Sequence, residues 1–163
     1  MENEVQVLES GLTDVLPSLM IPLEDRILLA PTVSVAEMVP YSMPQAIDNA
    51  PAWLLGLLRW RDQQVPLMML EVLNGGAKPE VHRYSRIAVF NHTGVDEELP
   101  FVALLTQGIP KLARVSEEDL RVTEGKEARP FERMHVTLSG EDVVIPDITA
   151  LEWAYLDWRT SNN

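Results

Sequence analysis

The sequence predicts an all-β fold, mainly β with short helices. Three observations point there. Twelve prolines are scattered through 163 residues, so few stretches are free enough of breakers to form long helices. Between the prolines lie short apolar runs bounded by turn residues, the pattern of a small barrel or sandwich. Met134, Val136 and Leu138 alternate with Arg133, His135 and Thr137, the period of a half-buried strand. A chain of this length is expected to form one domain, or two subdomains sharing a core. It is long enough to stand without a metal or a disulfide.

In chain order, residues 1–13 are expected to be a flexible acidic tail, with Glu2, Glu4 and Glu9 and no Lys or Arg. The ordered domain is expected over 14–158, with 159–163 as a second loose end. Leu16 to Leu23 and Arg26 to Ala30 flank Glu24-Asp25, a hairpin signature. Ser34-Val35-Ala36-Glu37 has the spacing of a capping box over one helical turn, and Ser116 to Asp119 is a second example. Val65 to Leu70 is apolar on both faces, which predicts a central strand. Residues 72–83, with Gly75, Gly76 and Pro79, read as a loop. Arg86 to Phe90, Phe101 to Thr106 and Ile109 to Val115 read as strands. Residues 91–100 form an acidic loop between the first two. After Leu138, the stretch Ser139 to Asp142 turns the chain into Val143-Val144-Ile145. Asp147 can then cap a terminal helix with Ile148, Leu151, Tyr155 and Trp158 on one face.

Composition narrows the function classes. Thirteen basic against 25 acidic residues leave a net charge of −12, which disfavours a nucleic-acid binder or an anionic-membrane binder. The chain has no Cys, so disulfides, thiolate nucleophiles and Cys zinc sites are excluded. The acidic N-terminus is unlike a secretory signal. No apolar run approaches the roughly 18 residues of a spanning helix. A cytoplasmic protein without membrane insertion is expected. His82, His92 and His135 form no metal-binding spacing, no G-x-S-x-G nucleophile elbow occurs, and no cofactor motif is found. The runs Asp96 to Glu98 and Glu117 to Asp119 read first as solvated surface.

One segment points to binding. From Trp53 to Glu71, two apolar strands are joined by a polar connection around Asp62-Gln63, with Arg59, Trp60 and Arg61 just before it. Arg and Trp are enriched at interface hot spots. The plainer reading makes Trp60 a core plug and the arginines solvated. Opposite charges on Glu37 and Arg61 would meet if their elements were neighbours.

This segment resembles the central motif of the CheW-like chemotaxis coupling proteins: Gly56, the apolar pair Leu57-Leu58, polar Arg59, apolar Trp60, then Arg61, leading to a strand containing Pro66. Upstream, Val35-Ala36-Glu37-Met38 is similar to the family's first signature, and Ala50-Pro51 to the Ala-Pro before the motif. Val143-Val144-Ile145-Pro146-Asp147 is similar to the apolar run that ends in Asp before a helix. Together these cover roughly residues 16–155. Three positions depart from the pattern. Asp62 replaces the Gly after the motif Arg, Met69 stands where an acidic residue often ends the strand, and Pro146 replaces an apolar residue.

The resemblance implies two intertwined five-stranded SH3-like β-barrels and an adaptor without catalysis or cofactor. The implied partners are the regulatory domain of a CheA-type histidine kinase, the cytoplasmic tip of a chemoreceptor, and other CheW-like proteins. The pathway would be chemotaxis or type IV pilus twitching motility. The implied partner-binding residues are Glu37, Gly56, Arg59, Trp60 and Arg61, with Glu37 and Arg61 paired near the kinase-facing region. Gly56 would admit a close backbone or a partner helix, or simply kink its strand. The alternative is a small-ligand-binding β-barrel or an enzyme using paired carboxylates, which would show a deep pocket with convergent Asp and Glu side chains.

Overall fold

The computed structural model describes residues 15–162; the expected acidic tail over 1–13 lies outside the described residues. Eleven strands form two sheets. The first sheet has the order β8-β1-β2-β11-β10-β9 and the second β3-β6-β7-β5-β4. The strands are β1 (Val15–Pro22), β2 (Ile27–Pro31), β3 (Val35–Pro40), β4 (Leu54–Trp60), β5 (Gln63–Met68), β6 (Arg86–Asn91), β7 (Phe101–Thr106), β8 (Lys111–Ser116), β9 (Leu120–Val122), β10 (Glu132–Leu138) and β11 (Glu141–Pro146). The second sheet is thus a continuous insertion, β3 to β7, within a first sheet built from both ends of the described chain. Each sheet corresponds to one expected barrel. The short β9 gives the first a sixth strand.

Local chemistry explains the hairpins. β1 and β2 pair from Ser18↔Pro31 to Pro22↔Ile27 around Glu24-Asp25. β10 and β11 pair up to Leu138↔Glu141, leaving a two-residue loop, Ser139-Gly140. Both loop residues have positive φ, 48° and 85°, as a type I′ turn demands. β5 lies between β7 and β4 and is buried from Val65 to Met68, which accounts for its two apolar faces. The central strand starts and ends two residues earlier than expected, because Leu70 leaves the sheet to open the short helix α1 (Leu70–Leu73). Residues 72 and 73, expected in a loop, complete that helix.

The periodicity of each sheet sorts its apolar residues into separate cores. Leu58, Trp60, Val65, Leu67, Ile87, Val89, Ala103 and Leu105 fill the second sheet's concave side. Leu29, Val115, Val136, Leu138 and Val143 do the same for the first. The third and largest cluster joins the two sheets. It takes Ile21, Leu28 and Val144 from one sheet, and Met68, Ala88, Phe90 and Leu104 from the other. The terminal helix α2 (Ile148–Ser161) seals this cluster with Leu151, Tyr155 and Leu156, backed by Ile148 and Trp158. Each such buried side chain contributes about 1.5–3 kcal/mol. The Asp147 side chain caps α2 by accepting from the Ala150 N–H at 3.0 Å. The helix runs on through Ser161, two residues past the expected start of the tail at 159.

Candidate partner-binding site

β3 and β4 are the two outermost strands of the second sheet, yet their side chains touch. Glu37 Oε1 accepts from Trp60 Nε1–H at 2.8 Å and from an Arg61 Nη2–H at 3.3 Å. The sheet therefore curls until its edges meet. Backbone closure comes from Gln45, whose N–H and C=O both bond Leu57, each at 2.9 Å. This crossing explains Gly56. Its φ is +146°, and a Cβ there would overlap the Gln45 carbonyl oxygen. The close approach that a strand glycine signals is made by this chain's own Gln45–Ala46 backbone, so the space over Gly56 is already filled.

The predicted residues separate into three groups. Glu37, Trp60 and Arg61 come together. Trp60 is buried at 7 % exposure and meets Phe101 edge to face at 4.8 Å. The Arg61 guanidinium lies 4.6 Å from the centre of the Trp60 ring, a cation–π contact. Trp60 is thus both a core plug and the floor under an exposed arginine, so the two readings of the sequence are not exclusive. Arg59 lies on the opposite face of β4, exposed, with Asp62 at 3.7 Å as its one counter-ion among the described residues. Gly56 sits four residues from Trp60, roughly 13 Å along the strand.

Two expectations about this region need correction. Glu37 does not close a capping box. The helical turn is a 3₁₀ segment over Thr32–Ser34, and Glu37 lies in the middle of β3. Its carboxylate is taken by Trp60 and Arg61, which outcompete a backbone cap. Ser116 and Asp119 do form the reciprocal capping box. The polar connection is also one residue earlier than expected. Trp60 pairs with Gln63, so Arg61 and Asp62 are the turn itself, with φ of 45° and 61°. Asp tolerates this region through its short polar side chain, which is how the turn survives without the family's glycine.

Sequence reasoning missed a second polar cluster, in the first sheet. Glu132, fully enclosed, bonds Arg26 through Oε2, and its Oε1 lies 3.0 Å from His135 Nε2. Arg26 also holds Asp25 at 2.9 Å, and that hydrogen bond keeps the Asp25 carboxyl below its ordinary value. Arg26 and Glu132 are 106 residues apart, so nothing local joined them. A solvent-open cleft of about 440 Å³ lies above the cluster, lined in part by Asp25, Arg26, Lys126, Arg129, His135 and Asp142. Two of its three carboxylates face cations: Asp142 has Lys126 at 3.1 Å, and Asp25 has Arg26; the third is Glu127. The carboxyl pushed upward by burial is Glu71, on α1 and outside this lining. Among the described residues no group of three or more His, Asp or Glu is placed to hold a metal, and no helix is long and apolar enough to cross a membrane.

Two curled β-sheets around a shared core, with a charged seam where the second sheet closes, define a two-barrel all-β domain. The family model of the CheW-like domain matches residues 17–153, and the chain belongs to that family. Its members are scaffold and adaptor proteins of chemotaxis signalling. The scaffolding protein TtCheW of Thermoanaerobacter tengcongensis has the same fold, with a TM-score of 0.68 at 15 % identity over 80 % of this chain and 88 % of that one. No curated protein sequence matches the chain significantly.

Proposed function

We propose that this chain is a cytoplasmic adaptor that couples a chemoreceptor to a CheA-type histidine kinase, in chemotaxis or type IV pilus twitching motility. The observation that carries this reading is the Glu37–Trp60–Arg61 seam. It presents a charged side chain at a fixed position on a rigid floor, at the closing edge of a barrel. An exposed ion pair of this kind contributes little stability, about 0–1 kcal/mol. Its value lies in electrostatic complementarity and register with a partner. Arg61 and Glu37 would touch the kinase regulatory domain, with Arg59 at the rim. Trp60 and Gly56 act from beneath, one as floor and the other by letting the barrel close.

A second surface supports a second partner. Leu112 on the edge strand β8 pairs with Leu19, so both side chains lie on one face. Leu19 packs against the core between the sheets, while Leu112 and nearby Ile109 are exposed. An apolar shelf continuous with the inter-sheet core suits the helical tip of a receptor, or another CheW-like protein. Coupling would work by differential affinity for the kinase's states. Calorimetry with the CheA-type kinase of the same host tests the reading. Saturable binding by the wild type, with loss of at least about tenfold in Arg61→Glu, is expected. No binding, or unchanged binding by Arg61→Glu, overturns the assigned surface.

A further inference from the structure

A cleft of about 330 Å³ opens between the end of β3 and the turn before β6, lined by Pro40, Tyr41, His82, Arg83, Ser85 and Arg86. In a chain of net charge −12, none of these residues is acidic. Neither arginine makes an ion pair among the described residues. The surroundings of Arg86 hold unused hydrogen bonds. Its Nε is buried without a partner, as are Thr106 Oγ1 and Gln107 Nε2. Thr106 is the cross-strand partner of Arg86, so the two side chains share a face. Gln107 is tied to the cleft wall because its Oε1 accepts from Ser85 Oγ at 3.5 Å. The Ser85 oxygen in turn accepts from the His82 N–H at 2.9 Å, which shapes the turn. Arg83 stands at the rim, 4.7 Å over the Tyr84 ring.

Buried polar groups in folded proteins are almost always paired, and a cluster of unused donors beside an unneutralised guanidinium calls for an acceptor. We propose that this cleft is an oxyanion-binding site, in which a carboxylate or phosphate bonds Arg86, with Arg83 adding charge at the mouth. Planar guanidinium against a two-oxygen acceptor is the strongest neutral-pH pairing available to such a site. Two sources share this chemistry: free inorganic phosphate, and the Asp or Glu side chains of an acidic protein segment. The inference does not rest on the adaptor reading, since the cleft shares no residue with the Glu37–Trp60–Arg61 seam.

The test uses the full-length chain, ¹⁵N-labelled, with the Arg86 Nε–H followed by NMR. It is titrated at constant ionic strength with sodium phosphate, and separately with a capped tetra-aspartate peptide. A saturable shift of the Arg86 Nε–H is expected with at least one probe. Arg86→Gln should weaken that binding by about tenfold or more and the exposed Arg83→Gln by about threefold, while Arg59→Gln leaves it unchanged. Saturation by phosphate alone assigns the site to the free ion. Saturation by the peptide, alone or with phosphate, assigns it to a partner's carboxylates as well. Linear, unsaturable shifts with both probes overturn the proposal, as does equal binding by Arg83→Gln and wild type. The Arg83 variant and the direct Nε–H signal decide the matter even if Arg86→Gln fails to fold.

Discussion

Among the described residues, two arginine–glutamate pairs have the same chemistry in opposite surroundings. Arg26 and Glu132 have side chains 9 % and 0 % exposed, whereas Arg61 and Glu37 are 66 % and 42 % exposed. The buried pair joins the β1–β2 hairpin to the start of β10, and its carboxylate also serves His135 and the Arg129 N–H. The open pair joins two strand edges whose closure is already secured by the Gln45–Leu57 backbone bonds. Burial decides what each does. Desolvation makes the first pair indispensable once formed, because either partner alone would be an uncompensated buried charge. Water screens the second, which leaves its charges available to another molecule.

That contrast is broken most directly at Arg26. Arg26→Met strands Glu132 without its main counter-ion and should cost about 3–5 kcal/mol, read from urea unfolding. A loss below about 1 kcal/mol would mean that the two sites do not differ as burial implies. The acid limb gives a second reading. Asp25 has its folded-state pKa lowered from 3.8 by the bond to Arg26. Its stabilisation is therefore present above pH 3.8 and lost as the pH falls through the lower folded value. Arg26→Met should remove that part of the acid dependence.

Gly56→Ala is the next largest effect. The backbone at φ +146° is unfavourable for alanine, and the new methyl meets the Gln45 carbonyl. A cost of about 2–3 kcal/mol is expected in the same unfolding measurement. If the barrel opened to avoid the clash, the Gln45 and Leu57 amides would lose hydrogen-exchange protection before the rest of the second sheet.

These sites also mark where the sequence was legible. The hairpins at Glu24-Asp25 and Ser139-Gly140, the half-buried β10 and the Asp147-capped helix rest on neighbours in sequence, and local patterns carry them. Gly56 was readable as either a close approach or a strand kink, the two ordinary uses of a glycine inside an apolar strand. Whose backbone approaches it was not readable, since Gln45 reaches β4 only when the sheet curls. Glu37 illustrates the same limit. Its spacing from Ser34 fits a cap, but a tertiary partner 23 residues away claimed the carboxylate. The Arg26–Glu132–His135 cluster left only faint traces: an arginine just after a hairpin turn, and a glutamate three residues before a strand histidine. Short α1 was hidden because Met69 and Leu70 continue the apolar run of β5 and Gly75-Gly76 follow closely, so its one turn fell between a strand and a loop reading.

Glu71 sharpens the contrast from the other side, as a buried carboxylate without a cation. Burial raises its pKa above the ordinary 4.5. Among the described residues its Oε2 accepts the Glu24 N–H at 3.1 Å, and Oε1 has no partner. A raised carboxyl destabilises the fold as the pH climbs through the interval between the unfolded and folded values, and the penalty is complete above it. Glu71→Gln keeps the acceptor for Glu24 and removes the charge. It should be more stable than wild type at pH 7, and the gain should vanish near pH 4. An equal difference at both pH values would exclude ionisation as the cause.

The smallest effects belong to the exposed seam. Asp62→Gly restores the residue best suited to φ of 61° and should add about 0.5 kcal/mol. Arg61→Met removes the open ion pair but keeps an apolar stem over Trp60, and its unfolding free energy should shift by no more than about 0.5 kcal/mol. Near-silence in stability is the informative outcome for Arg61. Its left-handed backbone, φ 45°, would suit glycine or asparagine better, and its ion pair returns little. A residue that is mildly unfavourable where it stands and dispensable for folding is best explained by what it touches outside the chain. Equal stability of wild type and Arg61→Met, together with weaker kinase binding by the variant, would assign the seam to recognition. A stability loss of 2 kcal/mol or more, roughly the scale of a buried contact, would instead make Arg61 a structural clasp of the barrel, and the two arginine–glutamate pairs would then be alike.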